Sequence, residues 1–181
     1  MKLDILAVGV HPDDIELGCS GTIMKHIAMG CKVGIIDLTR GELGTRGTAE
    51  TRNDEAQEAA KIMGVSIREN LAFRDGFFSN DEIHQLKLIR AIRKYRPDII
   101  LTNAPKDRHP DHGRASQLTL DACFLSGLIK IKTQLNSELQ TAWRPKNIYH
   151  YIQAQYLEPD FVVDISDFIE KKMEAVLAYK T

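Results

Sequence analysis

The chain has 181 residues, 43% of them hydrophobic and 27% charged, a balance that fits one soluble globular domain able to bury a core without disulfide staples. Lys and Arg number 24 against 25 Asp and Glu, so the net charge of −1 argues against nucleic acid or an acidic membrane as the main partner. No apolar run approaches the roughly 20 residues of a membrane helix. The three cysteines, Cys19, Cys31 and Cys123, show no CxxC spacing, and neither a disulfide framework nor a thiolate zinc site is expected.

Met1 to Leu6 carries an early acid and no small-residue cleavage site, so it reads as the start of the fold and the cytoplasm is the default compartment. Leu3 to Val10 fits a strand buried on both faces. From Ile15 to about Met29 the spacing predicts one helix, with Ile23, Met24 and Ile27 on a face and Gly30 as its stop. Val33 to Leu38 is a second buried strand, residues 39–48 are a Gly-rich loop, and a helix through Ala56, Ala59, Ala60 and Met63 ends at Gly64. Asn70 to Phe73 suggests a short strand. Ser79, three residues before Glu82, has capping-box spacing for a helix striped by Ile83, Leu86, Ile89 and Ile92 and ended by Pro97. Asp98 to Thr102 is the next strand, and about His112 to Ile129 is helical. Residues 130–146 have no pattern that assigns them. Ile148 to Ile152 and Phe161 to Val163 are late strand candidates, followed by an amphipathic helix through Ile165, Phe168, Ile169, Met173, Val176 and Leu177.

This alternation implies an α/β fold, Rossmann-like, with a mostly parallel sheet flanked by helices. The whole of 1–181 reads as one domain. The helical pattern still runs at Tyr179-Lys180-Thr181 without a cap, Gly or polar tail, so a further C-terminal segment is expected.

Parallel α/β sheets bind ligands beyond the carboxyl ends of their strands. His11-Pro12-Asp13-Asp14 follows the first strand directly, and His109-Pro110-Asp111-His112 follows the strand at 98–102 after a short loop. The two groups offer three histidines and three carboxylates. Three N/O ligands with one open position is the pattern of a catalytic zinc. A carboxylate left over could take a proton from water, and a nearby histidine could stabilise an oxyanion or protonate a leaving group. Asp13, three residues before Glu16, could instead be a helix N-cap, and Asp111 could cap the helix after Pro110. Spacing alone leaves open which Asp would bind metal and which would act as base. His26, His84 and His150 belong to no cluster and read as structural.

With these residues the sequence resembles the PIG-L / LmbE-like zinc deacetylases. His11-Pro12-Asp13-Asp14-Ile15-Glu16-Leu17-Gly18 matches the first motif of that family and His109-Pro110-Asp111-His112 the second. The loop Thr39 to Thr48, the segment Thr51-Arg52-Asn53-Asp54-Glu55-Ala56 and Phe73-Arg74-Asp75-Gly76 match as well. The branch most similar is that of bacillithiol biosynthesis, whose enzymes deacetylate N-acetylglucosaminyl malate. The resemblance implies one Zn²⁺ per chain, other divalent ions being possible, held by His11, Asp14 and His112. It implies Asp13 as general base, His109 as the residue that stabilises the oxyanion and assists departure of the amine, and Asp111 as the group that orients His109. Arg52 and Asp75 fall at positions that contact substrate. The implied partner is a small N-acetylated amino-sugar conjugate, and relatives are often homo-oligomers, trimers or hexamers. Such a fold has no need of a dinucleotide, and the first strand indeed ends in HPDD, not GxGxxG. Two other readings stay open: an amidase acting on a related thiol conjugate, and a non-catalytic carbohydrate-binding protein that kept the fold.

Overall fold

The computed structural model describes residues 1–181. Its elements in chain order are β1 (Ile5–Gly9), α1 (Asp14–Gly18), α2 (Ser20–Ala28), β2 (Val33–Thr39), α3 (Ala49–Met63), β3 (Ile67–Phe73), α4 (Glu82–Tyr95), β4 (Ile99–Asn103), α5 (Pro110–Ser126), β5 (Gln134–Leu135), β6 (Glu138–Leu139), β7 (Asn147–Tyr151) and α6 (Ile169–Leu177). Five strands form one parallel sheet in the order β3-β2-β1-β4-β7. Strand order reverses between β1 and β4, so a crevice opens beyond the carboxyl ends of those two strands.

Alternation along β1 builds the two layers. Leu6 and Val8 join a core with Leu88, Ile89 and Ile92 of α4 and Leu118 and Ala122 of α5. Ile5 and Ala7 face the other side, with Ile15, Ile23, Met24, Met63 and Ala175 from α1, α2, α3 and α6. Both faces are covered, which is why β1 and β2 are buried without interruption. No helix is long and apolar enough to cross a membrane.

Several local expectations need correction. The single helix expected from Ile15 breaks at Cys19 (φ −144°, ψ 12°) into α1 and α2. At Gly18, a Cβ would lie 2.4 Å from the Tyr151 ring, so the α1 end packs directly on the last strand. Helix α4 is capped by Asp81, whose side chain accepts from the His84 amide, and Ser79 lies outside it. Phe161 to Val163 forms no strand, residues 130–146 contain the β5–β6 hairpin, and a short 3₁₀ turn at Ser166–Phe168 precedes α6.

Two devices shape the ends of the strands nearest the crevice. Strand β3 shifts register against β2 between Asp37 and Thr39. Asn70 holds the irregularity: its Nδ2 donates to the Thr39 carbonyl (2.5 Å) and its Oδ1 accepts from the Ala72 amide (2.8 Å), with Ala72 at φ 51°. Deeper in, the buried guanidinium of Arg68 on β3 pairs with Asp37 of β2 (2.7 and 2.8 Å) and with Glu16 of α1, and donates to the Ala56 carbonyl of α3.

Candidate active site

The residues singled out in sequence meet in the crevice. His11, Asp13 and Asp14 emerge from β1, and His109 and His112 lie at the start of α5, after β4. The His11 ring centroid lies 4.8 Å from that of His109 and 5.7 Å from that of His112, while His109 and His112 stack at 5.3 Å. The cavity here is about 310 Å³ and is lined by His11, Asp13, Asp14, Arg52, Asp75, His109 and His112 among others. A larger, mostly apolar cavity of about 540 Å³ lies between the Gly18–Thr22 corner and residues 157–165 and contains none of these residues.

Hydrogen bonds fix the tautomer of each histidine. The Nε2 of His11 faces Asp75 Oδ1 at 3.0 Å. A carboxylate only accepts, so the neutral ring carries its proton on Nε2 and its lone pair on Nδ1, which lies 3.8 Å from Asp14 Oδ2. His112 is the mirror case. Its Nδ1 faces Asp107 Oδ2 at 2.7 Å, and its Nε2 lies 3.3 Å from Asp14 Oδ1. His109 differs: its Nδ1 accepts the Asp111 backbone amide at 3.3 Å, so the neutral ring carries its proton on Nε2.

Asp14 is the negative centre. Its Oδ2 accepts from the Val10 and His11 amides and from Asn103 Nδ2 (3.0, 3.1 and 3.1 Å), and its Oδ1 accepts from Gln153 Nε2 (2.9 Å). Burial opposes its charge, but the bonds and fields of His112 and His11 outweigh burial and hold the carboxyl well below the usual range. Burial likewise opposes charge on His112, yet Asp14 and Asp107 bring its pKa up to about 9. The same balance, with Asp75 and Asp14 as the raising groups, lifts His11. For His109, burial and the neighbouring charge of His11 act together and lower it, in keeping with a neutral ring.

Asp13 stands beside this centre with its backbone at φ 133°, ψ −24°, a conformation L-residues rarely adopt. It occupies the N-cap position of α1 but makes no capping bond. Burial first, and the adjacent Asp14 charge second, raise its carboxyl to about 7 against the opposing field of Arg52. Arg52 Nη2 lies 3.4 Å from Asp13 Oδ2. The guanidinium is roofed by the loop at Gly41 (φ 64°), where a Cβ would lie 2.4 Å from Arg52 Nη1.

Arg52 and Asp75 line the cavity, and each has a protein partner besides. Arg52, expected at substrate, has its guanidinium against Asp13. Asp75, also expected at substrate, has one oxygen on His11 and the other accepting from the Leu43 amide (3.1 Å). Asp111, expected to orient His109, turns its carboxylate away: it accepts from the Gly76 amide (2.9 Å) and Arg114 (2.6 Å) and lies 3.9 Å from His11 Nε2. Asp111 does not cap α5 either, because His109 takes the N-cap. Asp107, Asn103 and Gln153 were not singled out in sequence. None belongs to a motif: the sheet brings Asn103 and Gln153 to Asp14 from far along the chain, while Asp107 reaches His112 across the loop that leads into α5.

The donor set suits a divalent cation. His11 Nδ1 and His112 Nε2 both face the Asp14 carboxylate, and the proton that metal-free His112 turns to Asp14 stands where the positive charge of a cation would take its place. The carboxylates on the far nitrogens are the partners expected for metal-binding imidazoles. Ligand atoms of His11, His109 and His112 also lie within 4.8 Å of one another, but the Nε2 proton leaves neutral His109 without a lone pair to offer.

Fold and site together define the class: a parallel α/β enzyme with a histidine–carboxylate centre suited to a cation and a second carboxylate, Asp13, beside it. Comparison with known proteins agrees. Residues 6–123 match the PIG-L family, described as GlcNAc-PI de-N-acetylase. The diacetylchitobiose deacetylase of Thermococcus kodakarensis is 31% identical over 98% of this chain and 69% of its own length. The probable N-acetyl-α-D-glucosaminyl L-malate deacetylase 2 of Bacillus subtilis is 29% identical over all of this chain and 84% of its own. A crystal structure of a conserved protein from Thermus thermophilus superposes with a TM-score of 0.90 at 43% identity, covering 98% of this chain and 79% of that one. The chain belongs to the PIG-L family, and with it to the hydrolases that cleave N-acetyl amide bonds.

Proposed function

We propose that this chain removes the acetyl group from an N-acetylglucosaminyl conjugate, N-acetylglucosaminyl malate being the first candidate, at one cation site made by His11, Asp14 and His112. The orientation of the three rings carries this reading: two imidazoles are anchored by carboxylates so that, once neutral, their lone pairs converge on Asp14, while the third keeps its N–H for another task. A bound zinc-type ion would polarise the acetamide carbonyl and bring the pKa of a water to about 7, and a His₂Asp set accepts other divalent ions too.

This chain's residues handle the protons. Asp13 accepts the proton of the attacking water; a carboxylate raised toward neutral pH is matched to that task. Arg52 holds it in place. The Nε2–H of His109 donates to the former carbonyl oxygen as negative charge develops there. A neutral ring with its Nδ1 capped by a backbone amide has no second proton to give. The proton that the departing amine needs therefore comes back from Asp13, and the expected help from His109 reduces to the oxyanion. One water is consumed, the C–N bond breaks, and acetate and a free amine leave. Asp75 contributes by fixing His11.

The test is amine release by zinc-supplied protein from N-acetylglucosaminyl malate, diacetylchitobiose and an acetylated thiol conjugate. Asp13→Asn is expected to slow turnover about 10²- to 10⁴-fold, the usual worth of a general base, with metal content unchanged. Turnover near wild type overturns the base assignment. Release from the thiol conjugate alone points to an amidase, and release from none of the three overturns the proposal.

A further inference from the structure

The structure assigns Gln153, two residues beyond β7, as a positioning residue that sets the Asp14 carboxylate for cation binding; this rests on the site reading above. The first observation is reach. Gln153 Nε2 donates to Asp14 Oδ1 at 2.9 Å, the same oxygen that lies 3.3 Å from His112 Nε2. Asn103, the last residue of β4, donates to the other oxygen at 3.1 Å. The two amides thus divide the carboxylate, and its rotation about Cβ–Cγ is held from both sides.

The second observation is what these amides leave undone. The Oε1 of Gln153 and the Oδ1 of Asn103 are both buried and have no hydrogen-bond partner. A buried unpaired carbonyl costs about 1–3 kcal/mol, and the large majority of buried polar side-chain atoms in folded proteins have a partner. Neither amide can turn round, because a carboxylate offers no donor to a carbonyl oxygen. The donors are kept on Asp14 at the expense of the acceptors, the mark of a group retained for its aim.

The third observation extends the device to a second ligand. Two residues on, the Gln155 amide donates to Asp107 Oδ1 at 2.8 Å, and Asp107 Oδ2 holds His112. The segment 153–155 therefore straps Asp14 directly and His112 through Asp107. It is delivered by an edge strand whose only partner in the sheet is β4.

The experiment uses Co²⁺ as a visible probe of geometry, with affinity from chelator competition and the melting temperature of the metal-free protein as a folding control. Gln153→Met keeps the length and removes the donors. Gln153→Asn keeps the amide but draws it back by one methylene. Both are expected to bind Co²⁺ about 10- to 100-fold more weakly, the usual cost of losing an outer-shell partner, with an altered visible spectrum and a little-changed metal-free melting temperature. Affinity within twofold of wild type and an unchanged spectrum in both variants would falsify the assignment while leaving the site intact. Co²⁺ binding that survives His112→Ala overturns the site reading, and the assignment with it.

Discussion

A proton on His112 is shared between two carboxylates, Asp14 at Nε2 and Asp107 at Nδ1. Burial works against that charge and the carboxylates overcome it, so the folded value is about 9 against 6.5 for the free side chain. The folded metal-free protein then keeps a proton that the unfolded chain has released. This contribution is complete below pH 6.5 and is lost as pH rises through about 9. We predict that the melting temperature of chelator-treated protein falls across that window and that His112→Gln flattens the fall; thermal scans from about pH 6 to about pH 9.5 check it. The histidines and carboxylates of the candidate site were legible because HPDD and HPDH each sit behind a strand. Their supports were not. Gln153 lies 139 residues from Asp14, and Asp75 lies 64 from His11, so no local pattern announces either contact. Asp111 shows the converse: the resemblance implied that it orients His109, and its backbone amide does meet His109 Nδ1, while its carboxylate goes to the Gly76 amide and Arg114.

Elements were legible wherever both faces of a strand are buried or a helix presents one apolar stripe, as for β1, β2 and α4. They were misread where a tertiary contact sets the boundary. The α1–α2 break at Cys19 follows a Gly18 packed against Tyr151, on a strand far along the chain, and the β5–β6 hairpin turns on Asn136 and Ser137 with no Gly to mark it. Helix α4 ends with Arg96 in the left-handed region at φ 47°, exposed and with its amide on the Ile92 carbonyl. Glycine is the favoured residue there. Arg96→Gly is therefore expected to stabilise the protein by about 0.5–1 kcal/mol, read as a raised urea midpoint at constant m-value. The Asn70 staple acts in the other direction. Asn70→Ala frees the Thr39 carbonyl and the Ala72 amide and loosens the turn that carries Asp75 to His11. A loss of about 1 kcal/mol in stability with weakened cation binding is expected, and unchanged cation affinity by chelator competition would separate the bulge from the site.

Across the whole molecule, Arg68 is the joint between layers. One guanidinium ties β3 to β2 through Asp37, to α1 through Glu16 and to α3 through the Ala56 carbonyl, and the Tyr179 hydroxyl closes on Glu16 from beyond α6. Removing one partner of a buried ion group leaves the others uncompensated. Arg68→Met is expected to cost about 3–5 kcal/mol, measured by urea unfolding at neutral pH; a cost below about 1 kcal/mol would mean that the two carboxylates take up protons with little strain. The single tryptophan, Trp143, meets the chain just ahead of β4, at the opposite end of that strand from the loop leading to His109 and His112. Its indole N–H donates to the Pro97 carbonyl (2.8 Å) just ahead of β4, the Lys2 ammonium sits 5.3 Å from the ring, and the side chain packs on the larger core. The protein thus carries a built-in optical gauge of its folding that is remote from the chemistry: Trp143 emission follows collapse or loss of the core while staying blind to loading of the crevice, so stability and occupancy can be read in one cuvette by two independent signals.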